Sequence, residues 1–335
     1  MMRTALLLFA LLVAPVASAG GLPPSKSAAL LEPTEAMLRD LRAAISRYAD
    51  FSVAEAEGWQ PFGGEEPLMG RHYHLGENGP DYAGPDTVPD PTRPSNLMYS
   101  TIDGEQVLTG VAFGIRIAPD EPLPEGFPGH ADIWHVHDIP EIFAAATAER
   151  PVLRWLGGLW LEHRFKGTAD GRDRLAMVHV WATLDNPDGV FAHYNRLVPY
   201  LKHGLPPQFA DSASEAAARG LALAAPEGCE NSFEGRLWIA QAERWQRKAI
   251  MAACAREAEA VAAAVAACGP DGADWLNAIA EAAWQRLDTT FRQIATPEQQ
   301  RRLASIVEHG DAHAAGGSSA WQLPDDARVP GSHGH

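Results

Sequence analysis

The chain is short of most of the signatures that announce an enzyme. It contains no Gly-x-Ser-x-Gly elbow, no Walker-type phosphate loop, no Gly-x-Gly-x-x-Gly fingerprint, no His-Glu-x-x-His and no Cys-x-x-Cys-His. Serine hydrolase, NTPase, nicotinamide enzyme, zincin and c-type cytochrome are all disfavoured. Basic residues are scarce as well, 27 against 43 acidic ones, for a net charge of −16. A surface that acidic repels phosphate backbones and anionic headgroups, which argues against nucleic acid or a membrane as partner, and it suits cations. Cysteine is limited to Cys229, Cys254 and Cys268. Cys254 and Cys268 fall in what reads as one continuous helix, about 21 Å apart at 1.5 Å per residue, so they cannot bridge. Cys229 reaches either of them only if that helix breaks. The default reading is three small buried apolar residues, or at most one bridge that the sequence does not assign.

The apolar run from Ala5 to Val16, after Met1-Met2-Arg3 and before Ala17-Ser18-Ala19, has the form of a secretory signal peptide and is too short for a comfortable span. Cleavage is expected after Ala19, placing the mature protein in the periplasm or outside the cell. Residues 20–60 read as a Pro- and Gly-rich lead followed by a helix with Leu38, Leu41, Ile45 and Tyr48 at helical spacing, then a short helical run from Val53.

From 61 to 207 the texture turns to Gly, Pro, Asp and short strands. Asn96 to Ser100 and Gln106 to Ile117 flank Asp103-Gly104, a strong hairpin signal. Val107, Gly110, Ala112, Gly114 and Arg116 do not alternate cleanly, so the hairpin is firmer than its faces. The stretch from Val152 to Phe165 reads equally as helix or strand. Leu175 to Thr183 is the clearest strand, with Met177, His179 and Trp181 on one face.

Residues 208–308 read as a helical extension: one helix from a Ser232 cap to about Ala267 with Trp238, Ala242, Trp245, Ala249 and Ala252 as its stripe, and a second from Ala273 to Ile294 with Leu276, Ala280, Ala283, Leu287 and Phe291. Thr296-Pro297-Glu298 opens a last one. The His-containing tail, 309–335, has the composition of a disordered segment. The fold class expected is α+β, an antiparallel β-rich sandwich or barrel-like core carrying an α-helical C-terminal extension.

Histidine is unevenly spread. Nine of the thirteen lie between His72 and His203, and the long helical stretch that follows has none. If Trp134-His135-Val136-His137 is extended, His135 and His137 share a face with Cα atoms about 6 to 7 Å apart, which lets two imidazoles meet one ion. Met69-Gly70-Arg71-His72-Tyr73-His74 holds a second such pair. His179, His193 and Glu141 complete the set of candidate metal ligands. Imidazoles suit copper, zinc, iron, nickel and manganese, with copper or zinc favoured here and iron or manganese also open; Met69 and Met177 keep the copper reading open. The competing reading is that these are aromatic-like residues hydrogen-bonded in a loop-rich surface.

Gly129, His135, His137 and Glu141 stand at a spacing that resembles the first cupin metal motif, and Pro187-x-Gly189 followed by His193 echoes the second. That resemblance implies a mononuclear metal held by His135, His137, Glu141 and His193. More broadly, Met69-Gly70-x-His72-Tyr73, Trp134-His135-x-His137, His179-x-Trp181 and Asn186-Pro187-x-Gly189-x-Phe191 resemble, over residues 35–207, an exported bacterial family of uncharacterised proteins. In that family a Cys often stands at the position of Glu141, an exchange that fits a ligand.

The function expected is a periplasmic protein that binds, buffers or hands on a transition metal, with a periplasmic protein as the partner that delivery would call for. Two alternatives stand beside it. One is a mononuclear metal enzyme with cupin-like oxygenase, isomerase or hydrolase chemistry. The other is a metal-free structural or interaction protein docking through Trp238, Trp245 and Trp284.

Overall fold

The computed structural model describes residues 32–75, 82, 84, 88–118, 121–128, 132–137, 147, 150–164 and 174–303, without the side chains of 157, 158 and 160–164. The expected signal peptide, Glu141, His130 and the tail from His309 lie outside the described residues.

The N-terminal helix α1 (Glu32–Ile45) buries Met37, Leu38, Leu41 and Ile45 at the expected spacing, and a 3-10 turn (Ser46–Ala49) tucks Tyr48 in behind them. Asp50 then caps the short α2 (Phe51–Ala56), its carboxylate accepting from the Ser52 amide. These elements cover one face of an antiparallel sheet.

That sheet has six strands: β1 (Gln60–Glu66), β2 (Gly70–His74), β3 (Asn96–Ile102), β4 (Glu105–Ile117), β5 (His135–His137) and β6 (Arg174–Val180). Their spatial order is β1-β2-β3-β4-β6-β5, so the last strand in the chain is inserted between β4 and β5. The β3–β4 turn falls on Asp103-Gly104, both at positive φ (52° and 81°), the backbone that a two-residue hairpin requires. Leu97, Tyr99, Val111, Phe113, Ile115, Val178 and Val180 face α1 and α2 and form the first core.

The opposite face explains why β4 does not alternate cleanly. Gly110, Ala112 and Gly114 leave the centre of that face bare, and larger neighbours lie down over it. A Cβ at Gly110 would come within 2.8 Å of the Met98 side chain, and one at Gly114 within 2.5 Å of the Tyr82 ring. Met69, Tyr82, Met98, Leu175, Met177 and Trp181 fill this side.

The ambiguous stretch after the histidines is a helix, α3 (Pro151–Arg164), with Val152, Leu153, Trp155, Leu156 and Leu159 exposed. Beyond β6 come α4 (Leu197–Lys202), α5 (Glu215–Leu223), α6 (Gly228–Ile239), α7 (Arg244–Ala267) and α8 (Ala273–Ile294). Helix α8 buries Leu276, Ala280, Ala283, Leu287 and Phe291, the stripe read from the sequence. The architecture is α+β, one antiparallel sheet with C-terminal helices.

The single helix expected from Ser232 to Ala267 is two. The chain breaks at 240–243, where Gln241 takes a positive φ (51°) and Glu243 restarts the helix in a reciprocal capping box with Gln246. The break turns the second half, so its buried face is Gln246, Ile250, Ala253, Cys254, Val261 and Ala264, while Trp238 and Trp245 are exposed. It also brings Cys229 on α6 to Cys254 on α7 at a Cα separation of 5.9 Å, where they form a disulfide; Cys268 is free. Trp284, by contrast, is core. No helix among the described residues is long and apolar enough to cross a membrane.

Candidate metal centre

The side of the sheet opposite α1 carries the histidines. Strand alternation puts His72, Met98 and Gly110 in one row across β2, β3 and β4, since His72 pairs with Met98 and Met98 with Gly110. His179 lies opposite Ala112, and His135 opposite Met177, two residues before His179 on the same strand. The stretch around residue 135 is extended as expected, and its two histidines meet edge to face with ring centroids 4.7 Å apart.

The other rings close in from three directions. His135 stacks on His193 at 3.9 Å and 16° and lies 4.8 Å from His179; His179 lies 5.4 Å from both His193 and His72. Ligand nitrogens of His135, His179 and His193 all fall within 4.8 Å of one another, a group that could hold a metal ion. His135 and His179 are buried at 5% and 1% exposure; His72, His137 and His193 are half-buried.

His193 arrives from a loop, and the Asn186-Pro187-x-Gly189-x-Phe191 motif is what shapes that loop. The Asn186 side chain accepts from the Asp188 amide at 3.0 Å and donates to the Tyr194 carbonyl at 2.8 Å. Gly189 sits at φ 110°, and Phe191 anchors in the first core. Two side chains of β6 then clamp the loop: Trp181 Nε1 donates to the Ala192 carbonyl at 2.6 Å, and His179 Nδ1 lies 2.8 Å from the His193 carbonyl. A carbonyl can only accept, so Nδ1 carries the proton and Nε2 keeps its lone pair. That Nε2 is buried without a partner, as are His72 Nε2 and both ring nitrogens of His135.

Burial keeps these rings neutral. His72 and His137 are lowered from the usual imidazole value to about 4, His72 by desolvation and then by His137, and His137 by desolvation. His193 is lowered to about 3 by desolvation first, with His137, Arg219 and His72 adding repulsion. His135 and His179 lie well below the usual value for the same leading reason. Neutral imidazole is the ligand form, so near pH 7 each ring can offer a lone pair without first losing a proton.

Of the remaining candidates, His74 is not in the triad. It is 4% exposed, its ring packs edge-on to Phe62, and its Nδ1 lies 3.2 Å from the Leu75 carbonyl. Glu141 is outside the described residues. Met177 and Met98 stand beside His135 and His72 in register.

Sequence reading missed Tyr194 and Arg219. Tyr194 stacks on the far side of His193 at 4.2 Å and 7°, and the Arg219 guanidinium lies 4.6 Å from the Tyr194 ring centre. Arg219 is in turn held by Glu215 at 2.7 Å and Glu66 at 3.4 Å. A column therefore runs from α5 through Tyr194 and His193 to His135. The only available signal was that Tyr194 follows a candidate ligand; Arg219 lies in a different element. No family model matches this chain, and no curated protein or solved structure matches it.

Proposed function

We propose that this protein binds a transition-metal ion through His135, His179 and His193, working in the periplasm to bind, buffer or deliver it. The observation that carries the reading is the convergence of three neutral imidazoles, two of them buried and the third half-buried, whose nitrogens lie within 4.8 Å of one another. Buried polar atoms are normally hydrogen-bonded, and leaving one unsatisfied costs about 1–3 kcal/mol. An ion would satisfy several of these atoms at once. An all-imidazole triad favours copper or zinc over magnesium, calcium or manganese, which prefer oxygen donors. The apparent signal peptide, the acidic surface and the disulfide all suit an exported cation binder.

The test is elemental analysis of periplasmically expressed protein beside a His135→Ala, His179→Ala double variant of equal fold by circular dichroism. Copper or zinc near one equivalent or more in the first sample, reduced by at least one equivalent in the second, supports the reading. Equal metal content in the two ends it.

A further inference from the structure

Helix α3 turns its apolar side to water. Val152, Leu153, Trp155, Leu156 and Leu159 are 67%, 47%, 65%, 50% and 49% exposed. At 3.6 residues per turn these five positions fall in one arc of about 160°, and Arg154 stands opposite its centre. A helix of a globular protein ordinarily turns such a stripe to the core, as α8 does. A lone exposed leucine would mean nothing, but apolar side chains gathered on one exposed face mark an interaction surface.

Charge narrows what that surface meets. Of the 27 basic and 43 acidic residues in the chain, residues 150–166 hold four basic ones, Arg150, Arg154, Arg164 and Lys166, and one acid, Glu162. The rest of the chain is left with 23 against 42. A basic amphipathic segment thus stands out from an acidic protein. Pairing α3 with the α3 of a second copy would bury the leucines but set two basic segments against each other, since a two-fold interface brings the same patch to itself. A bilayer with anionic headgroups suits both features: the apolar face enters the boundary between headgroups and acyl chains, tryptophan settles at that level, and arginines meet the lipid phosphates.

We propose that α3 docks this protein on a membrane surface that carries anionic lipid, with Trp155, Leu156 and Leu159 in the acyl boundary. The helix has 14 residues and lies in the plane of the interface, since a span needs about 20 apolar ones. The net charge of the whole chain argues against a membrane, and its local distribution reverses that argument at this helix. Acids more than a Debye length from the bilayer, about 8 Å at physiological salt, are largely screened from it. The inference is independent of the metal reading.

The probe is a vesicle of equal parts phosphatidylcholine and phosphatidylglycerol, sedimented with a chain beginning at Gly20 so that the apolar run from Ala5 to Val16 contributes nothing. The variant is Trp155→Ser with Leu156→Ser, both exposed positions, its fold verified by far-UV circular dichroism. The wild type is expected to sediment with the vesicles and the variant to bind at least about 10-fold more weakly. Arg154→Glu is expected to weaken binding about fivefold, and phosphatidylcholine alone to bind less than the mixed vesicle. Equal binding by the double variant places the contact elsewhere and overturns the proposal. Binding no tighter to the mixed vesicle than to phosphatidylcholine alone overturns it as well, because no anionic headgroup is then recognised. No binding to either vesicle overturns it outright; dimers in sedimentation velocity that the double variant loses would then assign the face to a second copy.

Discussion

At the scale of single residues, the centre depends on which nitrogen each imidazole presents. His179 is fixed by its bond to the His193 carbonyl, so it both orients itself and anchors the loop carrying the next ligand. His179→Ala should therefore weaken zinc binding more than a second-sphere change, beyond about 100-fold, whereas His74→Ala should leave it within about twofold. Isothermal titration of both variants separates them. Tyr194 acts through His193 by stacking, and Tyr194→Leu is expected to weaken zinc binding about 10-fold without altering the number of ions bound. Acid should act on the same atoms. In the unfolded chain the histidines protonate near pH 6.5, but His72 and His137 hold out to about 4 and His193 to about 3. Between those values the unfolded state binds more protons, so stability falls as pH falls through that window and is recovered above it. Thermal melts of the chelator-treated protein should drop from pH 7 to pH 5, and the His72→Ala, His137→Ala variant should show a shallower drop. An equal slope in both would show that the burial of these rings does not govern the acid response.

At the scale of elements, the parts of the fold written in local pattern were legible and the parts written in long-range packing were not. The helix α8 stripe, the Asp103-Gly104 hairpin and the alternation of Met177, His179 and Trp181 follow from the periods of helix and strand. The break before α7 was not legible, because Ala-Gln-Ala-Glu carries neither Gly nor Pro; a left-handed Gln241 and a capping box make the turn instead. Likewise Gly110, Ala112 and Gly114 look like weak strand residues until Met98, Tyr82 and Leu175 are seen lying against them. A helix crossing of the same kind joins α5 to α8. A Cβ at Gly220 would stand 1.8 Å from the Ala280 carbonyl oxygen, so the two backbones touch only because residue 220 has no side chain. Gly220→Ala must push the helices apart, and overpacking of this sort costs about 3 kcal/mol. Urea unfolding followed at 222 nm should show a loss near that size. A loss under about 0.5 kcal/mol would mean that the helices slide without penalty.

At the scale of the whole molecule, the sheet and the helices are tied by partly buried charge as well as by contact. Lys202 on α4 pairs with Glu65 and Arg219 on α5 with Glu66, both acids from β1, and the Asn195 amide donates to the Leu68 carbonyl. The candidate centre lies on the sheet side of this seam and the disulfide on the far side, between α6 and α7. The sequence places the histidines and the cysteines in different regions, but the seam joins acids from 65 and 66 to bases more than a hundred residues on, a pairing that no local pattern announces. Because the seam links the two regions, loss of the disulfide should lower the stability of both together. Cys229→Ser with Cys254→Ser removes a constraint on a loop of sequence separation 25, worth about 3 kcal/mol through the unfolded chain. Far-UV circular dichroism and tryptophan fluorescence should then report one shared transition at lower urea, with the zinc stoichiometry of the folded protein unchanged. Two separated transitions would mean that the seam does not couple the regions. A change in zinc count would mean that the bridge, remote as it is, helps to set the positions of Tyr194 and His193 through α5.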